Sequence, residues 1–415
     1  MRILLWMQWF DPEPQIKGLA FAKKLRELGN EVEVLTGFPN YPGGKIYPGY
    51  SVKFFQEEFI DQIRIIRVPL YPSHSSSSFG RILNYLTFGF TSCCAGFFVS
   101  TKKDVIYACG PPVTVGIVVA LVSYFRSIPF VYDVQDLWPD SLEATQMFKN
   151  SLGLKIVSKL CEWVYRRAQH LTVQSPGIKN LLIARGINSE KISIIFNWCD
   201  EANLVSRSSF IKKDEPLGLG KGSEKFFNVI FAGNIGKAQA LDTILEVAQL
   251  LEIENPSICL FFIGGGIEVP KLKKLAERLN ISNVTFVPRV QMSEIGNALL
   301  LADVLLIHLK DDPLFRVTVP AKTQSYMAMG KPILMAVAGD AADLISEAKA
   351  GICAMPSNPR AIADKIMLMA RMDKKDLEIL GVNGYDFYLN NMSLDIGARK
   401  FIAVFNKCTS KIDRG

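Results

Sequence analysis

The sequence predicts an α/β protein of two Rossmann-like domains, and three observations predict it. At 415 residues the chain exceeds what one core ordinarily organises, so two domains of about 150–200 residues are expected. Short apolar runs alternate with segments of helical period in both halves, the pattern of parallel sheets covered by helices. That alternation stops once, in a Ser-, Lys- and Gly-rich stretch from Ser206 to Glu224, and then resumes.

Arg2–Trp9 is an apolar run that ends in the Pro-rich turn Asp11–Pro14. Leu19, Ala22, Leu25 and Leu28 share one helical face, Gly29 closes that helix, and Val32–Thr36 is the next strand. This βαβ crossover demands a parallel sheet. Strands at Val105–Ala108, Pro129–Val134, His170–Gln174 and Ile192–Phe196 alternate with helices at Pro112–Phe125, Leu152–Ala168 and Ser175–Arg185. The second half places strands at Asn228–Ala232, Ile258–Ile263, Val284–Val287, Val304–Leu309 and Pro332–Ala336, with helices near Leu241–Leu251, Val269–Leu279, Met292–Leu301 and Lys322–Met329. The expected organisation is a first domain over residues 1–200, a linker over 201–225, a second domain over 226–390 and a C-terminal helix over 391–415, apolar at Leu394, Ile396, Phe401, Val404 and Phe405.

Composition narrows the classes. With 49% hydrophobic and 21% charged residues the chain is neither disordered nor fibrous. The net charge of +7 divides into +5 for residues 1–200 and +2 for the rest, spread among apolar helices instead of gathered on a stripe or tail. That distribution disfavours nucleic acid and suits anionic phospholipid or a phosphorylated acceptor. The eight cysteines show no Cys-x-x-Cys pair and read as buried thiols in a reducing compartment. Three scattered histidines give no zinc pattern, and no Gly-x-Ser-x-Gly elbow occurs. The N-terminal MRILLWMQWF is followed by Asp11, Glu13 and two prolines, so it reads as a strand and not a signal peptide.

Leu86–Ser100 and Val113–Phe125 are apolar but shorter than the roughly 18–20 residues that span a bilayer. Two readings stand side by side: buried helices of an α/β domain, or Phe79–Phe98 lying in a membrane interface flanked by Arg81, Lys102 and Lys103.

Ligands in parallel sheets bind beyond the carboxyl ends of strands. In the first half this gathers Phe10–Lys17, Cys109–Pro112, Asp133–Asp140 and Ser175–Gly177 at one crevice. The run Asp133-Val-Gln-Asp136-Leu-Trp138-Pro-Asp140 joins carboxylates, an amide and an aromatic ring, groups that hold sugars by hydrogen bonding and stacking. Gln15, Lys17, Trp138 and Asp140 are the acceptor-side candidates. In the second half, Gly233-Asn234-Ile235-Gly236-Lys237 joins a strand to a helix, where glycines admit a phosphate and a helix start supplies N–H groups. Gly264–Gly266 departs from the dinucleotide fingerprint and reads as a tight turn beside a nucleotide, with Gly265 the candidate contact. Arg316 and Lys322, with Lys237, are cations available to a leaving diphosphate.

These residues, in this order, resemble glycosyltransferase family 4 of the GT-B fold across nearly the whole chain. The resemblance is carried by LAFAKKLRELGNEVEVLT, FPNYPGG, VQDLWPDSL, LTVQSPGIKNLLIARGINSEKISIIFNWCD, FAGNIGKAQALDTILEVA, FFIGGG, VTFVPRV, ADVLLIHL and VPAKTQSYMAMGKPILMAVAGDAADLI. Within the family the chain is similar to WbuB-like bacterial surface-polysaccharide enzymes, which include L-fucosamine transferases of O-antigen assembly.

The resemblance implies two parallel-sheet domains facing across a cleft, and transfer from a UDP-sugar with retention of configuration. The acceptor, a lipid-diphosphate-linked saccharide, would bind the first half and the donor the second. No metal or other cofactor is expected, since no Asp-x-Asp occurs. The expected location is cytoplasmic, peripherally bound to the inner face of the cytoplasmic membrane. By position Asp136 is the active-site group near the transferred sugar, Lys322, Gln324 and Ser325 line the diphosphate and ribose, and the last helix crosses back to the first domain. The sequence departs from the family where paired glutamates would fall at Val317 and Ser325, and where a diphosphate-gripping Arg and Lys would fall at Asn234 and Gln239. Those departures keep open a nucleotide-sugar epimerase or hydrolase of the same fold, or a non-catalytic nucleotide-sugar-binding paralogue.

Overall fold

Parallel pairing of apolar strands organises both halves of the chain. In the computed structural model the described residues are 1–73, 78–144, 151–202, 204 and 226–410, so nearly all of the expected linker, 201–225, lies outside them. The chain divides into two units, Met1–Phe196 with Leu394–Gly415, and Asn197–Ser393.

The first unit runs β1 (Arg2–Trp6), α1 (Leu19–Glu27), β2 (Glu31–Gly37), β3 (Gln56–Ile60), β4 (Ile63–Val68), α2 (Ser78–Val99), β5 (Val105–Gly110), α3 (Val113–Arg126), β6 (Phe130–Val134), α4 (Asp140–Ala144), α5 (Ser151–Arg167), β7 (His170–Val173), α6 (Pro176–Ala184) and β8 (Ile192–Ile194). Its sheet order is β3-β4-β2-β1-β5-β6-β7-β8, parallel except for β3, which closes a hairpin on β4. Sequence reasoning left that hairpin out. Its turn residues Asp61 and Gln62 both adopt positive φ without a glycine to announce them. The strand order reverses between β1 and β5, the place where such sheets bind ligands.

α2 is longer than the apolar stretch read from the sequence: Phe79–Val99 is long and apolar enough to cross a membrane, and it is the one such helix among the described residues. Within the unit it contacts β2, β4 and α3, with 28% of its most apolar stretch buried. Gly96 permits this, because a Cβ there would meet the Trp6 ring at 1.8 Å.

The second unit runs β9 (Phe227–Asn234), α7 (Leu241–Glu254), β10 (Ile258–Gly265), α8 (Val269–Arg278), β11 (Val284–Val287), α9 (Met292–Leu300), β12 (Val304–His308), α10 (Pro313–Arg316), α11 (Ala321–Ala328), β13 (Ile333–Ala336), α12 (Asp340–Ala348), β14 (Gly351–Cys353), α13 (Pro359–Ala370) and α14 (Lys374–Asn391). Its order, β11-β10-β9-β12-β13-β14, reverses between β9 and β12. Phe231, Phe262, Ile244 and Leu306 belong to a core that the apolar sides of these elements close. The last helix, α15 (Leu394–Thr409), belongs to the first unit, where Phe401 lies 5.1 Å from Phe21 and 5.5 Å from Tyr107 between ring centroids.

Candidate functional site

In the second unit the strands β9 and β10 end side by side on two glycines. Gly233 has φ +133° and Gly264 φ +143°, and a Cβ on Gly264 would lie 1.9 Å from the Gly233 carbonyl oxygen. A Cβ on Gly233 would lie 2.8 Å from Cε of Lys322, so glycine here makes room for that side chain. The result is a hollow of about 420 Å³ lined by Gly233, Asn234, Gly264, Arg289, Lys322 and Ser325, with Asp200 as the acid on its wall and Val290, Ile295, Leu299 and Tyr326 as its apolar side.

Lys322 starts helix α11, and its Nζ lies 4.1 Å from the centre of the buried Phe231 ring. Among the described residues no carboxylate lies within ion-pair distance of it, and burial without an anion pushes its ammonium down to about 8. An uncompensated cation beside a helix start is a place for an anion. Tyr326 locks the same helix to the sheet, accepting from the Ala232 N–H at 2.8 Å.

Several expected donor residues do other work. The Gly236 N–H donates to Oε1 of Gln239 at 3.0 Å, so that amide is used inside the turn. Lys237 begins a short 3-10 turn, is exposed, and does not line the hollow. That turn is pinned from below: His308, kept neutral by burial, meets the Gln239 carbonyl through Nδ1 at 2.7 Å, and the Lys310 N–H reaches the Ala238 carbonyl at 2.9 Å. Gly265 lies beyond the lining, and its carbonyl accepts from the Ile235 N–H at 2.9 Å. Arg316 forms a bidentate pair with Asp311 at 2.9 Å on the surface. Gln324 is buried, with its amide nitrogen assigned to donate to the Pro320 and Ala321 carbonyls at 2.9 and 3.0 Å, so its amide is used within its own helix. Asn234 and Ser325 do line the hollow.

In the first unit, Asp133 near the end of β6 is 1% exposed and forms a 2.7 Å ion pair with Lys17, itself 1% exposed. Tyr107, Gln135 and Thr172 also donate to it at 2.7, 2.7 and 2.6 Å. Lys17 is therefore no acceptor ligand; its charge is consumed inside the fold, under the Phe401 ring. Asp140 likewise is paired, accepting Arg185 at 2.6 and 2.8 Å. Gln15 is half-buried, and its carbonyl accepts the Gly18 N–H at 3.3 Å in the loop before α1.

Asp136 lies two residues past β6 with an open face to solvent, yet surrounding protein strips enough water from its carboxyl to raise its pKa. Its charge acts on Tyr41 and Tyr85. A chain of half-buried rings surrounds it: Trp9 to Tyr41 at 5.0 Å, Trp9 to Tyr85 at 6.3 Å, and Tyr85 to Trp138 at 6.1 Å. Asn84 holds α2 in place beside them, donating to Asn40 at 3.2 Å and to the Tyr71 carbonyl at 2.7 Å and accepting from Gln8. The guanidinium of Arg81 acts on Tyr85, and its Nε is buried without a hydrogen-bond partner. Among the described residues no group of His, Cys, Asp or Glu is arranged to hold a metal ion.

Sequence reasoning named Trp138 but missed Trp9, Tyr41, Tyr85 and Arg289. Arg289 could have been found by the strand-end rule, since it follows β11 directly. Tyr85 could not, because it approaches from the long helix α2 and not from a strand end.

The fold and these two strand-end sites define a glycosyltransferase that uses nucleotide-sugar donors. Residues 19–198 match the glycosyl transferase 4-like domain, and residues 220–386 match glycosyl transferases group 1. The chain belongs to this family of GT-B glycosyltransferases. It is 27% identical over 307 residues to the glycosyltransferase WbjE of Pseudomonas aeruginosa, covering 73% of this chain and 74% of that one. It is 24% identical over 346 residues to the colanic acid biosynthesis glycosyl transferase WcaI of Escherichia coli K12, covering 80% and 82%. The crystal structure of Anabaena Alr3699/HepE in complex with UDP shares the fold with a TM-score of 0.70 at 16% identity, over 98% of this chain and 100% of that one.

Proposed function

We propose that the protein moves a sugar, with retention of anomeric configuration, from a UDP-sugar to a lipid-diphosphate-linked saccharide at the cytoplasmic face of a membrane, in surface-polysaccharide assembly. One observation carries the donor side: the half-buried, desolvated ammonium of Lys322, with no carboxylate within ion-pair distance among the described residues, at the glycine-lined ends of β9 and β10. A diphosphate there supplies the missing charge. As the bond from the sugar C1 to the β-phosphate oxygen breaks, its electron pair goes to that oxygen, where Lys322 and the N–H groups opening α11 stabilise it. Arg289 and Ser325 serve the rest of the nucleotide.

The acceptor hydroxyl forms the new bond to C1 and gives its proton to the departing diphosphate. Asp136 positions that hydroxyl and stabilises positive charge developing on the sugar ring. Trp138, Tyr85, Tyr41 and Trp9 offer faces for the acceptor saccharide to stack on. UDP as donor nucleotide is supported by the similar UDP complex, and the polysaccharide role by similarity to WcaI. An N-acetylated amino sugar such as L-FucNAc is the donor sugar this reading favours. Membrane contact is supported by the exposed aromatic residues of α2.

Purified protein incubated with UDP-, GDP- and dTDP-sugars and a lipid-diphosphate saccharide should release UDP only when acceptor is present. Asp136→Ala should lower turnover by about 10²–10⁴-fold. Release without acceptor would replace transfer by hydrolysis or epimerisation, and no nucleotide-sugar affinity at all would leave a non-catalytic protein.

A further inference from the structure

The C-terminal half of α2 covers a second hollow, about 570 Å³, bounded by Phe90, Cys94 and Phe98 of the helix and by Phe54 and Phe55 of the segment before β3. Phe54, Phe90 and Phe98 are 93%, 72% and 79% exposed, so the opening is ringed by aromatic surface left bare to water. Arg64 and Lys103 at its rim are shared with Glu33 and Glu57, which leaves the wall without net charge. A neutral apolar hollow of this size fits hydrocarbon and offers nothing to an anion.

The helices on this side of the sheet carry charge almost entirely of one sign. Exposed residues of α2, Phe79, Leu86, Phe90, Cys94 and Phe98, recur at steps of seven and four and form one uncharged stripe. The adjoining helix α3 exposes Tyr124 and Phe125, and α5, packed against α3, exposes Leu152 and Ile156. The charged residues of these three helices are Arg81, Arg126, Lys155, Lys159, Arg166 and Arg167, against the single acid Glu162. Apolar surface fringed by cations is complementary to an anionic lipid.

We propose that this hollow seats one hydrocarbon chain of the lipid that carries the acceptor saccharide, an inference that rests on the lipid-linked reading of the acceptor. Tyr85 of the ring cluster stands on the same helix, nine residues from Cys94 and thirteen from Phe98, which is about 14–20 Å along the axis. Leu86 and Phe90 bridge that interval with apolar surface. A saccharide stacked beside Tyr85 is thus joined to the hollow by a continuous track for its chain.

The test compares two acceptors with the same diphosphate saccharide head, one on a dodecyl chain and one on a methyl group. Filling the hollow with Ala95→Phe, or independently Cys94→Trp, should raise KM for the dodecyl acceptor at least about tenfold and leave the methyl acceptor unchanged, with the thermal shift caused by UDP retained. A readout free of turnover uses Phe98→Trp protein, whose fluorescence should be quenched, beyond the wild-type level, by the same dodecyl acceptor brominated near the end of its chain. Equal KM changes for both acceptors, or no added quenching, overturns the proposal. Quenching by brominated phosphatidylglycerol vesicles that the dodecyl acceptor does not compete away also overturns it, and assigns the hollow to bulk lipid. If neither acceptor is glycosylated, the transfer reading fails on its own, and quenching still decides the fate of the hollow.

Discussion

Lys17 and Lys322 are both lysines at the carboxyl-end side of a parallel sheet, the first fully buried and the second half-buried, and they differ in their partners. Lys17 meets Asp133 at 2.7 Å, with three further donors completing the carboxylate's shell. Lys322 meets an aromatic face and no carboxylate among the described residues. A buried charge is costly unless matched. The first lysine is matched by the protein and is structural, while the second has no such partner among the described residues and, in the proposed function, takes its anion from the donor. Residue type and strand-end position are the same; the partner decides the role.

The largest effect that tests this contrast is on stability. Lys17→Met should destabilise the protein by about 3–5 kcal/mol, because it strands a buried carboxylate; denaturant unfolding would show it, and a change near zero would deny the pair its structural role. Lys322→Met should leave the unliganded melting temperature unchanged or raised, since it removes an uncompensated charge. The same variant should lose about 10²–10³-fold in donor turnover, the scale of removing one preorganised partner of a developing anion.

A smaller effect lies in pH. In the free protein Lys322 holds its proton below about 8, and diphosphate binds the protonated form. UDP affinity should therefore be flat up to that pH and fall by up to about tenfold per unit above it. Lys322→Arg stays charged and should remove the fall even if it binds more weakly. The smallest effect belongs to Arg316, whose exposed pair with Asp311 is worth about 0–1 kcal/mol. Arg316→Ala should change donor KM by less than about threefold; a larger loss would return it to the donor site.

Both sheets were legible in the sequence because apolar strands and helical periods are local signals, whereas the strand orders and their switch points came from the structure. The hairpin β3–β4 was hidden by a turn without glycine, and of the two readings of the apolar region Phe79–Phe98 comes within a residue of each end of α2. The donor hollow was half legible. Gly233, Asn234, Lys322 and Ser325 line one hollow, whereas Gly236, Arg316 and Gln324 have partners within the chain. Chemistry-bearing residue types can be read from a sequence, but whether a charge or amide is already satisfied depends on residues far away in it. Asp133 is 116 positions from Lys17.

The most direct measurement is a calorimetric titration of UDP into the wild-type protein and Lys322→Met at pH 7. The account predicts binding to the wild type and a loss of about 10²-fold or more in the variant, with its unfolding temperature maintained. Equal affinity in the two proteins would contradict it, since the diphosphate would then be held without the lysine that the fold leaves uncompensated.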